Sequence, residues 1–283
     1  MSFVYARSVS DDPLAAAKAK ARATYDAAAD HFDDAPLAFW DVYGRRTVER
    51  LALGPGQRVL DVCSGTGASA LPAAEAVGPG GSVVAVDLAE RLLERGRAKA
   101  AARGLRNVDF RVGDMTALGF PDGAFDAVVI VFGIFFVPDM EKQVRELLRM
   151  TKPGGALAVT TWGPDIFEPM HAEWRASLGE ACPDLVNAFN PWDRITTPDA
   201  VRTLLADGGG ADIQVVAEDG KQRLARPEDW WTIALGSGFR WAIDRMTDDA
   251  RARVYDRNVG FARANAVDAV QTNVIYGIAR RPA

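Results

Sequence analysis

Two carboxylates and a glycine bend are spaced in this sequence so as to grip a ligand at both ends. Asp61 stands just before Cys63-Ser64-Gly65-Thr66-Gly67, and Asp87 lies twenty residues beyond Gly67. The bend joins a β-type run, Arg58 to Val62, to a helix-favouring stretch, Ala68 to Val77, which stops at Gly78-Pro79-Gly80-Gly81. The first N–H groups of such a helix have no partner inside it, and the helix dipole adds partial positive charge there. The bend is thus a place for an anionic or polar ligand group, and its glycines let that group come close to the backbone. An ordinary glycine-rich loop between strand and helix carries the same residues, so the bend alone names no ligand.

The surroundings discriminate. Gly65-x-Gly67-x-x-Ala70 matches the dinucleotide fingerprint, so a nicotinamide-dependent oxidoreductase has to be weighed. Against it, a carboxylate at Asp61 suits a cationic amino group and repels a pyrophosphate. Asp87 ends the second strand, where its carboxylate can accept from a ribose diol. Gly113-Asp114-Met115 ends the third strand, offering an acceptor for an amino group and an apolar side chain for a base. The chain also ends in a β-hairpin pattern rather than a second mononucleotide half. A ligand with an amino acid end, a ribose and an adenine is S-adenosylmethionine.

The elements that must position these residues alternate. Asp11-Asp12-Pro13 reads as a capped helix start, with a helix continuing to about Asp30, and a second helix spans Leu37 to Leu51. Strands are expected at Arg58–Val62, Ser82–Val86, Val108–Val112, Ala127–Val131 and Ala156–Thr161, with helices at Ala68–Val77, Glu90–Ala102 and Met140–Met150 between them. The continuous apolar run at Ala127–Val131 suits a strand buried on both faces. This order predicts an α/β fold, a doubly wound sheet with helices on both faces. After Trp162 the rhythm breaks: Phe167 to Phe189 reads as one or two helices, Pro198–Ala206 as a helix and Ile213–Val216 as a strand. Leu224 to about Asp268 is again helical, and Val270–Ala279 reads as one last strand. The chain is read as an N-terminal helical segment (1–52), a cofactor-binding core (53–162), and the rest of the sheet with helical cap insertions at about 163–197 and 224–268.

The 283 residues carry a net charge of -5, which predicts no large basic surface for nucleic acid. Two cysteines, Cys63 and Cys182, allow no disulfide framework, and a reduced, cytoplasmic setting is expected. No apolar window is long enough for a membrane span, and the start, Met1 to Arg7, lacks the apolar core of a secretory signal. No metal site is expected, since no second cysteine or histidine lies at ligand spacing from Cys63.

With these residues in view, the chain resembles a class I S-adenosylmethionine-dependent methyltransferase. The signatures are Val59 to Gly67, Val84-Ala85-Val86-Asp87, Gly113-Asp114-Met115, Phe120-Pro121-Asp122-Gly123-Ala124-Phe125-Asp126 and Leu148-Arg149-Met150-Thr151-Lys152-Pro153-Gly154-Gly155. Together they cover about residues 40 to 162. Phe132 to Asp139 after the fourth strand is similar to the ubiquinone/menaquinone-biosynthesis branch, the UbiE-like small-molecule enzymes. One residue departs from the pattern: the family has glycine where Cys63 stands. The resemblance implies a mostly parallel, seven-stranded, Rossmann-like sheet with an antiparallel last strand and a helical cap. It also implies roles. Asp61 and the backbone of Cys63, Ser64, Gly65, Thr66 and Gly67 hold the methionine part. Asp87 takes the ribose, Leu88 packs on the adenine, and Asp114 and Met115 meet the base. Val131 and Phe132 line the wall near the sulfonium, and Tyr25 and Phe32 close over the cofactor.

Methyl transfer is an in-line displacement in which the cofactor carries the activation and the protein supplies position and excludes water. A general base is needed only when the acceptor must lose a proton, and His171, in the insertion after the fifth strand, is the candidate. The cap is rich in aromatic residues, so a flat or apolar small molecule is the expected acceptor, with Phe136, Trp162, Trp231 and Arg240 as candidate pocket residues. Gly236-Ser237-Gly238 marks a bend in the cap. The Asn/Asp-Pro-Pro-aromatic signature of nucleic-acid and protein amino-methyltransferases is absent after the fourth strand. The resulting expectation is methyl transfer to carbon, oxygen or nitrogen of a small molecule, with no nucleic-acid partner; a homodimer is possible. The oxidoreductase and a non-catalytic cofactor-binding homologue are the alternatives.

Overall fold

The computed structural model describes residues 13–186 and 190–283. The acidic pair expected to cap the first helix, the start of the chain and the end of the segment expected to be helical up to Phe189 lie outside them. Ten helices are described: α1 (Pro13–Ala28), α2 (Phe39–Leu51), α3 (Ala70–Val77), α4 (Glu90–Ala102), α5 (Met140–Met150), α6 (Met170–Ala181), α7 (Pro198–Asp207), α8 (Asp229–Leu235), α9 (Arg240–Ile243) and α10 (Asp248–Ala264). The strands are β1 (Arg58–Val62), β2 (Ser82–Asp87), β3 (Val108–Val112), β4 (Phe125–Val131), β5 (Thr151–Trp162), β6 (Ala211–Glu218), β7 (Lys221–Arg223), β8 (Ala269–Gln271) and β9 (Val274–Arg280).

Seven strands form one sheet in the order β3-β2-β1-β4-β5-β9-β6. Pairing is parallel from β3 through β5 and antiparallel at β9, where Thr160 faces Tyr276. The centre of the sheet is dry: Val59, Leu60, Val62, Val128, Val129, Ile130, Leu157 and Val159 are fully buried, which is why these strands read as unbroken apolar runs rather than alternating ones. The chain order reverses between β1 and β4, and in open α/β sheets the carboxyl ends of such strands enclose the ligand crevice.

Two expectations about elements need correction. The last strand is not continuous over 270–279. It breaks at Thr272-Asn273, where the Tyr43 hydroxyl bonds Thr272 and the Asn273 side chain accepts from the Gly220 N–H and donates to the Pro164 carbonyl. The piece before the break leaves the main sheet and pairs with β7 as a separate ribbon. Strand β5 begins five residues earlier than expected, at Thr151 rather than Ala156. The Lys152-Pro153-Gly154-Gly155 turn is absorbed into a strand end held by Arg281, which donates to the Arg149 and Thr151 carbonyls.

Helix α6 packs against α10, and their contact holds a buried polar chain in which Trp230 Nε1 donates to Asn258 Oδ1 and Asn258 Nδ2 to Ser177 Oγ. The Leu224–Asp268 stretch, read as helical, is three helices. It bends at Gly236-Ser237-Gly238 and restarts at Thr247, whose hydroxyl accepts from the Ala250 N–H.

Candidate active site

A cleft with about 900 Å³ of empty space, part of it open to solvent, lies at the β1/β4 reversal. Its floor is Val62 to Gly65 from the end of β1 and Val131 and Phe132 from the end of β4. Val86 to Ala89, from the end of β2 onward, and Gly113 and Met115, after β3, line one side. Helix α1 closes the top with Ala21, Arg22 and Tyr25, and Phe32, Trp40 and Phe136 complete the wall.

The floor is made of strained backbone. Gly65 and Gly67 have φ of 52° and 89°, as a tight bend requires, but Cys63 (59°) and Phe132 (52°) are also left-handed. Non-glycine residues pay for that conformation and keep it where the surroundings over-determine it. At Cys63 this explains why glycine is the usual occupant. The surroundings that hold it include Gly133: a Cβ there would lie 2.6 Å from Cys63 Cβ and 2.8 Å from Sγ. Gly133→Ala is therefore expected to cost about 1–3 kcal/mol through overpacking. Most of that should be recovered in the Cys63→Gly background, as chemical denaturation of the four proteins of the cycle will measure.

The carboxylates are fixed by different means. Asp87 Oδ2 accepts from the Gly65 N–H at 2.9 Å, and Oδ1 from the Ala89 N–H at 2.9 Å. Burial raises its pKa, while these backbone donors, with that of Leu88, pull it back. Asp61 is 1% exposed. Its Oδ2 accepts from Ser69 Oγ at 2.7 Å, and its Oδ1 is buried with no hydrogen-bond partner in the described structure. Burial raises its pKa to about 7, against the bond from Ser69, with the Asp87 charge adding to the rise. Tyr25 and Cys63 are both pushed upward, first by burial and then by the Asp87 charge.

Of the residues singled out from the sequence, Tyr25, Cys63, Ser64, Gly65, Asp87, Leu88, Met115, Val131, Phe132 and Phe136 line the cleft. Others do not. Thr66 turns its hydroxyl outward, donating to Asp33 and accepting from Lys99, which clamps the bend from behind, and Gly67 packs under Leu71 and Phe110. Asp114 pairs with Lys18 of α1 at 2.7 Å and accepts from Thr116. Burial alone would raise its pKa, but these partners hold it below the usual carboxylate range.

Three candidate pocket residues are corrected. Trp162 is buried and stacks on Phe132 at 3.8 Å, beneath the wall rather than in it. Trp231 packs against Trp174 and Tyr255. Arg240 pairs with Asp244, one helical turn along. His171 also lies outside the cleft, in the cap. It is 6% exposed, its ring is 5.5 Å from Phe239, and burial, with the Arg175 charge, lowers its pKa to about 4.

The sequence reading missed Trp40. It stacks on Phe32 with ring planes 2° apart and its Nε1 is buried without a partner. The available signal was helical spacing: Trp40 and Gly44 share a face of α2, and a Cβ at Gly44 would lie 2.4 Å from the Ala68 backbone, so this face presses directly on the bend.

Comparison with known proteins decides what this cleft belongs to. The model of the ubiE/COQ5 methyltransferase family matches residues 20–185, more than half of the chain. The chain belongs to the ubiE/COQ5 methyltransferase family. It is similar to nocamycin O-methyltransferase of Saccharothrix syringae, 32% identical over 248 residues that cover 81% of this chain and 86% of that one. It is also similar to demethylmenaquinone methyltransferase of Renibacterium salmoninarum, 36% identical over 180 residues, 60% of this chain and 73% of that one. Among solved structures, the Bacillus subtilis YcgJ protein shares the fold, with a TM-score of 0.56 at 17% identity over 86% of this chain and 99% of that one.

The protein is thus an S-adenosylmethionine-dependent methyltransferase of small molecules, and the oxidoreductase alternative lapses. The residues of the methyltransferase cleft fit the cofactor. An unpartnered buried carboxylate oxygen at Asp61, behind the cleft lining, suits an ammonium, and a wall of Leu88, Leu92 and Met115 suits a purine. Among the described residues, no helix of the methyltransferase is long and apolar enough to cross a membrane.

Proposed function

We propose that this methyltransferase acts on oxygen, and that its acceptor is a flat, mostly apolar small molecule whose hydroxyl is acidic enough to ionise without help from the protein. The observation that carries this reading is the chemistry of the cleft wall. Among the described residues that line it, Arg22, Tyr25, Cys63 and Asp87 are the titratable ones. Arg22 is a cation. Tyr25 and Cys63 hold their protons at neutral pH because burial raises both. Both oxygens of Asp87 accept from backbone N–H groups. No lining side chain is placed to take a proton, so the nucleophile has to arrive as an anion or as an electron-rich neutral atom. The aromatic wall of Tyr25, Phe132 and Phe136 suits a planar acceptor. The similarity to an O-methyltransferase extends over 81% of the chain, which favours oxygen over carbon.

In this reading Asp61 and the backbone from Cys63 to Gly67 hold the amino acid end of the cofactor. Asp87 holds the ribose, and Leu88 and Met115 flank the adenine. S-Adenosylmethionine supplies an electrophilic methyl group on a sulfonium that departs as a neutral thioether. The chain's own part is positional. The Phe132–Trp162 stack fixes the floor, α1 covers the top, and the apolar wall excludes water, which strengthens the attraction between acceptor anion and sulfonium. The test is a series of phenols and enols of graded pKa, assayed for methyl transfer by mass spectrometry across pH with S-adenosylmethionine saturating at every pH, so that Asp61 titration does not enter. The pH of half-maximal rate is expected to follow each acceptor's own pKa. One fixed value across the series would mean an enzyme base and overturn the reading.

A further inference from the structure

A second cleft, with about 420 Å³ of empty space, lies in the cap between α6 and the α8–α9 bend. Nothing in the methyl-transfer site uses it. Its walls are aromatic: Trp174, Phe239 and Trp241, with the ring of His171. Its charge comes from Arg175, an exposed residue of α6 that lines the cleft and has no ion pair or hydrogen bond among the described residues. Most arginines of this protein are paired, so a guanidinium left open beside aromatic rings stands out. The neighbouring acid, Asp193, is engaged by the Asn190 backbone N–H and side-chain amide. His171 is neutral above about pH 4, so at neutral pH it adds a polar ring but no charge.

The two clefts meet at α1. Tyr25 lines the cofactor cleft and Gly238 the cap cleft. A Cβ on Gly238 would sit 3.7 Å from the Tyr25 hydroxyl. Trp241 lies under Lys20, whose Nζ is 3.5 Å from the ring centre. A continuous aromatic run, Phe239–Phe167–Trp162–Phe132, also links the cap wall to the cofactor cleft floor. The partition is therefore one tyrosine and one glycine thick.

We infer that the cap cleft is a second chamber of the acceptor site, taking the carboxylate-bearing end of an elongated apolar acceptor on Arg175 while the other end reaches the cofactor cleft past Tyr25. The inference rests on the small-acceptor reading above and adds to it an anionic group remote from the methylated atom. Planar guanidinium–carboxylate pairing gives the chamber orientation, and the aromatic walls give it affinity. Gly238 and the Tyr25 hydroxyl form the partition the acceptor has to cross, since a Cβ on Gly238 would already be in ordinary contact with that hydroxyl.

The test uses 8-anilinonaphthalene-1-sulfonate, a flat apolar anion, and its neutral relative N-phenyl-1-naphthylamine. Both are titrated by fluorescence with the full-length protein held in saturating S-adenosylhomocysteine, so that the cofactor cleft is filled. The anion is expected to bind the wild type. Its affinity should fall about tenfold or more in Arg175→Ala and Arg175→Gln, the loss of one charge-assisted contact, and should be largely kept in Arg175→Lys. The neutral probe should bind all four proteins alike. Equal affinity of the anion for wild type and Arg175→Ala, or no binding once the homocysteine compound is present, overturns the chamber. Because this readout needs no turnover, it fails separately from the acceptor pH series, and calorimetry of S-adenosylhomocysteine on each variant confirms that the cofactor cleft is intact.

Discussion

Asp87→Ala is expected to weaken S-adenosylhomocysteine binding at least a hundredfold in calorimetry. The carboxylate does two things at once. It ties the Gly65 N–H to the second strand at 2.9 Å, which sets the shape of the bend, and in the proposed site it accepts from the ribose diol. Hydrogen bonds to a buried charged group contribute about 1.5–3 kcal/mol each. Losing two gives about 3–6 kcal/mol, and 1.4 kcal/mol is a factor of ten in affinity. Asp87→Asn keeps an acceptor for one of the two N–H groups and should fall in between. A loss of less than about fivefold in Asp87→Ala would mean that the ribose is held elsewhere.

Asp61→Asn is expected to separate stability from binding. The Asp61 pKa is raised to about 7 by burial, against about 4 in an unfolded chain. Between these two values the folded protein holds a proton that the unfolded chain has lost. The carboxyl's contribution is therefore fully present below about pH 4, declines as pH rises, and is gone above about pH 7. Three units correspond to on the order of 4 kcal/mol. The asparagine variant has no such slope, and its side-chain oxygen still accepts from Ser69. After allowing about 1–3 kcal/mol for an amide N–H buried where Oδ1 now lacks a partner, the cofactor-free variant should be more stable than the wild type at pH 8. That advantage should vanish or reverse by pH 4, as paired thermal melts across pH will record. Cofactor affinity should move the other way. Wild-type affinity should rise with pH up to about 7 as the carboxylate forms opposite the ligand ammonium, and the variant should bind weakly at every pH. Equal pH slopes of stability in the two proteins would show that Asp61 is not the buried titrating group.

Asp61, with one buried oxygen bonded to Ser69 and the other without a partner, stands out in the sequence for a physical reason. A carboxylate between apolar residues at the end of a central strand has no local use. The element order was legible for the same kind of reason: runs such as Ala127–Val131 and the helical Met140–Met150 report their own burial through local periodicity. Element ends were less legible where distant residues set them. Thr272 and Asn273 break the last strand because Tyr43, Gly220 and Pro164 lie beside them.

From its order of residues alone this chain determined an α/β sheet, the glycine bend, the acid at the tip of the second strand and the cofactor they imply, because each is encoded within about twenty residues and local spacing carries the information. Only the tertiary structure decided which neighbours each candidate would find. It placed Lys18 on Asp114 and Lys99 and Asp33 on Thr66, stacked Trp162 under Phe132 instead of in the wall, and brought Trp40 to the cleft. It also forced Cys63 into a left-handed turn that glycine would adopt without strain, and set His171 and Arg175 together in a cap cleft of their own. Those outcomes depend on contacts between residues far apart in the chain, whose partners no local pattern announces.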